Sequence, residues 1–134
     1  MTTFHIFKSG GGLTSSETKL FTVPNGYFAR INNLQLYMRE VTAVPDENDE
    51  IYVTVQSTSG STRVAGIYGN NLAFVTEVFH SIMVNSGEIV TAKWSISHAN
   101  NVYLGYTCNY SLYGPEDKIK CDIFSFLGGK CYGS

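Results

Sequence analysis

Apolar and polar residues alternate with a period of two along most of this chain, the spacing at which successive side chains of a strand point to opposite faces of a sheet. The longest such stretch covers residues 88–114. Val90, Ala92, Trp94 and Ile96 share one side, as do Val102, Leu104, Tyr106, Cys108, Tyr110 and Leu112. The pattern predicts two long strands, residues 88–97 and 102–113, joined as a hairpin through His98-Ala99-Asn100-Asn101. One face of that hairpin builds a core around Trp94, the only tryptophan.

The same reading places strands at residues 17–23, 27–41, 51–56, 63–68 and 72–84, separated by turns rich in Gly, Asn and Ser. In the 51–56 strand Ile51, Val53 and Val55 alternate with Tyr52, Thr54 and Gln56. In the strand after Val23-Pro24-Asn25-Gly26 the phase changes: Tyr27, Ala29 and Ile31 lie on odd positions, Leu34, Leu36 and Met38 on even ones. A regular strand cannot bury both sets, so a bulge or bend is expected at Asn32-Asn33, one that lets the strand enter both sheets of a sandwich. About eight strands with no helical periodicity predict an all-β, single-domain antiparallel β-sandwich, jelly-roll-like in connectivity.

The ends of the chain read differently. Phe4, Ile6 and Phe7 precede Gly10-Gly11-Gly12, a run expected to be too flexible for a packed strand. Residues 1–16 are therefore either an arm on a glycine hinge that docks on a neighbouring subunit or an edge strand of the domain itself. Residues 17–114 form the sandwich body, and residues 115–134 a last strand, including Phe124 and Phe126, with a Gly-rich tail.

Composition narrows the chemistry. With 134 residues one domain can bury a core without disulfides or metal. The formal net charge is −2 and the nine basic residues are spread evenly, so no cationic stripe for nucleic acid exists. No apolar run approaches the ~20 residues of a membrane helix, and the first residues lack the pattern of a secretory signal. Cys108, Cys121 and Cys131 are read as reduced thiols of a protein made in a cytoplasm, with Cys108 buried. His5, His80 and His98 have no acidic or nucleophilic motif around them and no nucleophile elbow is present, so no catalytic residue and no cofactor is assigned. Asp46, Glu47, Asp49 and Glu50 gather four carboxylates in one loop; the spacing does not match an EF-hand, and the loop is expected to be solvated rather than to hold calcium.

Aromatic side chains remain. Nine Tyr and eight Phe accompany only 15% charged residues. Tyr37, Tyr52, Tyr103 and Tyr113 fall opposite the inferred core, where they cover a sheet, make subunit or lattice contacts, or stack on sugar rings.

Phe21-Thr22-Val23-Pro24-Asn25-Gly26-Tyr27 before a long strand, and Val84-Asn85-Ser86-Gly87-Glu88-Ile89-Val90 before another, resemble a cadence of small jelly-roll proteins of tailed bacteriophage virions. The resemblance spans residues 17–113 and is greatest to capsid decoration, or cement, proteins; the coiled-coil or repetitive shaft of fibre proteins is absent. It implies a non-enzymatic virion protein, made in the host cytoplasm, that bridges neighbouring capsid subunits. Its partners would be the major capsid protein or other virion proteins and further copies of itself, a trimer being favoured, with neither nucleic acid nor membrane. Contacts would fall on Phe4, Ile6, Phe7, Tyr37, Tyr52, Tyr103, Tyr113, Phe124 and Phe126. The alternative is a carbohydrate-binding, receptor-binding β-sandwich module of a phage tail or baseplate.

Overall fold

The structure, a computed structural model, describes residues 2–114. Eight strands follow in order: β1 (Thr2–Gly12), β2 (Ser16–Thr22), β3 (Phe28–Glu40), β4 (Glu50–Ser57), β5 (Gly60–Tyr68), β6 (Phe74–Val84), β7 (Ile89–Ser95) and β8 (Val102–Gly114). They form two four-stranded sheets, β1-β8-β3-β6 and β2-β7-β4-β5. Every ladder is antiparallel. The pairings β4·β5, β3·β6, β2·β7 and β1·β8 are nested around the Ser57–Gly60 turn, so the chain is one long double-stranded ribbon rolled over itself. Contacts β3·β8 and β4·β7 then close each sheet. This is the jelly-roll sandwich expected from the strand count and turn spacing. Among the described residues no helix is long and apolar enough to cross a membrane.

The inner faces make one core. Leu34, Leu36, Met38, Leu104 and Cys108 from the first sheet meet Ile51, Val53, Val90 and Ala92 from the second, all essentially without solvent contact. Two aromatic pairs span the sheets: Phe21 on β2 stacks on Tyr110 of β8 with centroids 3.8 Å apart, and Trp94 on β7 leans on Tyr106 of β8 at 6.3 Å. Offset ring contacts of this kind add to the burial term itself. The Trp94 indole N–H is satisfied by donation to the Thr14 carbonyl at 2.9 Å.

Several sequence expectations need correction. Strands β7 and β8 are not a hairpin: β7 pairs with β2 and β4, β8 with β1 and β3. Trp94 and Tyr106 therefore face each other across the core instead of lying side by side. Alternation fixes which side of a strand is apolar but not which sheet it joins. The bulge on β3 is where expected, with the β3·β8 register shifting between Ile31 and Asn33. It does not carry β3 into the second sheet. Its neighbour β6 changes facing at the same level, at Ser81 with φ 56°, so both strands switch together and the first sheet continues.

The glycine run is not a hinge. Gly10, Gly11 and Gly12 continue the β1 ladder opposite Tyr106, Gly105 and Leu104. Glycine is needed there because a Cβ on Gly11, at φ 147°, would lie 2.3 Å from the Leu104 carbonyl oxygen. Residues 2–12 thus follow the edge-strand reading. The strand and tail expected after Gly114, with Phe124 and Phe126, lie outside the described residues.

Candidate functional site

The outer face of the first sheet follows from register. On β8 the odd residues point outward, and across the ladders they meet outward residues of β1 and β3; β3 in turn meets β6. Gly105 and Ser111 are the outward positions of β8 that are nonetheless buried, and each marks a feature.

Over Gly105 lies an aromatic shelf. The Tyr37 ring covers the glycine so closely that a Cβ would fall 2.6 Å from its Cζ and hydroxyl. Tyr37 stacks with Tyr103 at 6.0 Å on one side and with Phe74 of β6 at 6.4 Å on the other, and the Arg39 guanidinium lies 4.6 Å from the Tyr103 centroid. Burial pushes the Tyr37 hydroxyl above its ordinary titration range, the neighbouring Tyr103 adds to this, and Arg39 opposes it. The shelf runs on into the edge strand β6, which pairs with β3 along one side only among the described residues. Phe74 (54% exposed), Val78 (45%) and Met83 (53%) point outward along it. Thr76 and His80 point outward between them, and at about 3.3 Å per residue Phe74 and Met83 are roughly 30 Å apart along the strand.

Over Ser111, which has no solvent exposure, lies a polar chain. Arg30 Nε donates to Asn32 Oδ1 at 2.9 Å, Asn32 Nδ2 donates to Ser111 Oγ at 2.7 Å, and Ser111 Oγ lies 2.9 Å from His5 Nδ1. The serine hydroxyl, which accepts from Asn32, thus shares its second hydrogen bond with His5. The bulged residue Asn32 thereby ties β3, β8 and β1 together. The hydroxyl is sealed from solvent, so this serine–histidine pair holds strands together and exposes no nucleophile.

A second serine–histidine pair closes the acidic loop. Asp49 is fully buried: its Oδ1 accepts from Ser97 N at 2.8 Å and Ser97 Oγ at 3.0 Å, its Oδ2 from Asp46 N at 2.9 Å. With the Ser97 proton committed to Asp49, His98 Nδ1 is the donor to Ser97 Oγ at 3.0 Å and lies 3.6 Å from Asp46 Oδ2. Asp46, Asp49 and His98 bring ligand atoms within 4.8 Å of one another, yet the Asp49 oxygens are already occupied by protein donors. The loop is a clasp joining the β4 and β7 ends, and the expectation that it is simply solvated fails at Asp49.

The sequence-assigned contact residues separate. Phe4 and Ile6 turn inward and pack against the core of their own domain, while Phe7 stays exposed. Tyr37 and Tyr103 come together on the shelf. Tyr113 stacks with Phe28 at 4.9 Å at the opposite end of the same face. Tyr52 lies on the other sheet, under the Arg63 guanidinium at 3.8 Å. Phe74, Val78 and Met83 were missed as contacts; their even and odd positions straddle the facing change at Ser81, which hides a single stripe from period-two counting.

No protein-family model matches this chain, and no curated protein does. Solved structures are similar in part. A chain from the acidic stable capsid of Helicobacter pylori bacteriophage KHP30 is 17% identical, over 87% of this chain and 94% of that one, with a TM-score of 0.46. A Bacillus endospore appendage, from a family of disulfide-linked pili, is 12% identical over 84% and 87%, with a TM-score of 0.41. TmCBM61 in complex with β-1,4-galactotriose is 13% identical over 84% and 65%, with a TM-score of 0.35.

Burial fixes the chemistry of the described thiol. Cys108 is free and buried, and desolvation pushes it up to about 12, so it carries no thiolate at neutral pH. With Cys121 and Cys131 replaced by serine, Cys108 is expected to react with an aromatic disulfide roughly 100-fold or more slower in the native protein than in guanidinium. Equal rates would mean that β8 opens readily.

Proposed function

We propose that this chain is a non-enzymatic structural protein of a bacteriophage virion that decorates the capsid and stabilises it by bridging neighbouring capsid subunits. The observation that carries this reading is the set of exposed apolar side chains Phe74, Val78 and Met83 along β6, an edge strand with no further partner among the described residues, with Phe74 stacked on the Tyr37–Tyr103 shelf. A long apolar edge strand is an assembly liability in a free protein and an asset in one that is covered by a partner. Rigid aromatic side chains give contact area at small entropic loss, and fully burying a Phe or Val contributes about 1.5–3 kcal/mol each.

The partner is the major capsid protein or another virion protein, and copies of this chain associate with one another, as a trimer. The change of facing at Ser81 limits strand addition to the first half of β6, so side chains beyond it make the contact. Binding the assembled lattice in preference to free subunits stabilises the particle by mass action.

The test is co-sedimentation with capsids of the phage whose genome encodes the chain, with light scattering of the free protein. The Phe74→Asp/Val78→Asp double variant is expected to bind at least about 100-fold more weakly at an unchanged melting temperature. Undiminished binding by the variant, or no binding by the natural chain, would overturn the reading.

A further inference from the structure

The outer face of the second sheet carries a groove of about 600 Å³, within the size range of small-ligand sites and on the side of the molecule opposite the apolar edge. We propose that it binds a neutral oligosaccharide. Its floor is built by register: Thr54 of β4 lies opposite Thr91 of β7, and Gln56 and Tyr52 flank Thr54 on the same face. Hydroxyls and an amide both donate and accept hydrogen bonds, as vicinal sugar hydroxyls require.

Three charged side chains line it, the Glu17 carboxylate with the Lys19 and Lys93 ammonium groups. Glu17 of β2 and Lys93 of β7 are direct cross-strand partners, yet among the described residues the ion pairs are Arg63–Glu50 and His98–Asp46. A carboxylate that accepts and an ammonium that donates, side by side on neighbouring strands, can each bond one of two neighbouring hydroxyls of a neutral chain. A peptide hot spot would find only Ile89 as an aliphatic wall.

Tyr52 supplies the flat surface. Arg63 stacks on its ring at 3.8 Å and is clamped by both Glu50 oxygens at 3.2 Å, so the ring is ordered before a ligand arrives. Burial pushes the Glu50 carboxyl up, but hydrogen bonds from Tyr68 and Arg63 and the charges of Arg63 and Lys93 outweigh it and hold the group below its ordinary range. Arg63 itself does not line the groove; the groove side of the ring is left for a pyranose. The site is independent of the capsid reading, which concerns the other sheet.

The experiment is a printed array of neutral and acidic oligosaccharides probed with the full chain, followed by calorimetry with the best neutral hit. The expected result is binding to neutral chains that changes little between low and moderate salt. Tyr52→Phe is expected to bind like the natural chain, whereas Tyr52→Ala and Gln56→Ala each lose about tenfold or more, with melting temperatures recorded for all. Phe74→Asp/Val78→Asp is expected to bind unchanged. Silence across the array, retention confined to acidic chains, or full affinity in a folded Tyr52→Ala would each overturn the proposal.

Discussion

Replacing Asp49 by alanine is expected to lower the free energy of unfolding by about 3–5 kcal/mol, the sum of losing hydrogen bonds to a charged acceptor and leaving buried donors unpaired. The carboxylate binds the amides of Asp46 and Ser97 and the Ser97 hydroxyl, and its own backbone carbonyl accepts from Gly69 N at 3.1 Å. Three connections are therefore fastened at one residue: the loop before β4, the loop after β5 and the end of β7. Water cannot take over the donors, because the position has no exposure. Asp49→Asn keeps one acceptor oxygen and is expected to recover about half the loss. Urea unfolding of the three proteins decides the matter; an alanine variant within about 1 kcal/mol of the natural chain would show that the clasp is incidental.

Alkaline pH is expected to be the second large perturbation. Folding raises the Cys108 thiol from its ordinary value of 9.0 to about 12 by desolvation, and desolvation, with Cys108 beside it, also pushes the Tyr110 hydroxyl up. Below about pH 9 folded and unfolded chains both keep these protons, and the stabilisation is whole. Above it the unfolded chain releases them while the folded chain does not, so stability falls from about pH 9 towards pH 12. The thiol alone is worth on the order of 4 kcal/mol across that window. Denaturant midpoints measured from pH 7 to 11.5 are expected to be flat and then to drop. Cys108→Ala is expected to start lower and fall less steeply; an unchanged slope would assign the alkaline limb to the tyrosines alone.

Much of the body was legible because one residue in two must be apolar where a sheet covers a core. Ile51, Val53 and Val55, and the even residues of β8, face inward as the alternation requires. The bulge at Asn32 was legible for the same reason, since no regular strand buries both Ile31 and Leu34. Three features were not, each because a partner distant in sequence decides them. Trp94 and Tyr106 obey one period but belong to different sheets. Gly10 to Gly12 look like a hinge until Tyr106, Gly105 and Leu104 are placed opposite them. Asp49 reads as one carboxylate among four, and only the Ser97 and Asp46 donors distinguish it. The contact stripe on β6 was half visible: Phe74 and Val78 share a parity, while Met83 joins them only through the positive φ of Ser81. The shelf joins β8, β3 and β6, so no local pattern announces it.

The nested pairing of the rolled ribbon has a kinetic side. Only the β4–β5 turn at Ser57–Gly60 closes a short loop; β3 must find β6, β2 must find β7, and β1 must find β8 across almost the whole described chain, with Thr2 opposite Gly114. Formed in any other order, each outer rung demands a large loop closure before any inner one has reduced it. Formed from the β4–β5 turn outward, every rung shortens the search for the next. Such a contact order belongs to chains that fold in milliseconds to seconds, and it makes that four-residue turn the point from which the sandwich zips shut.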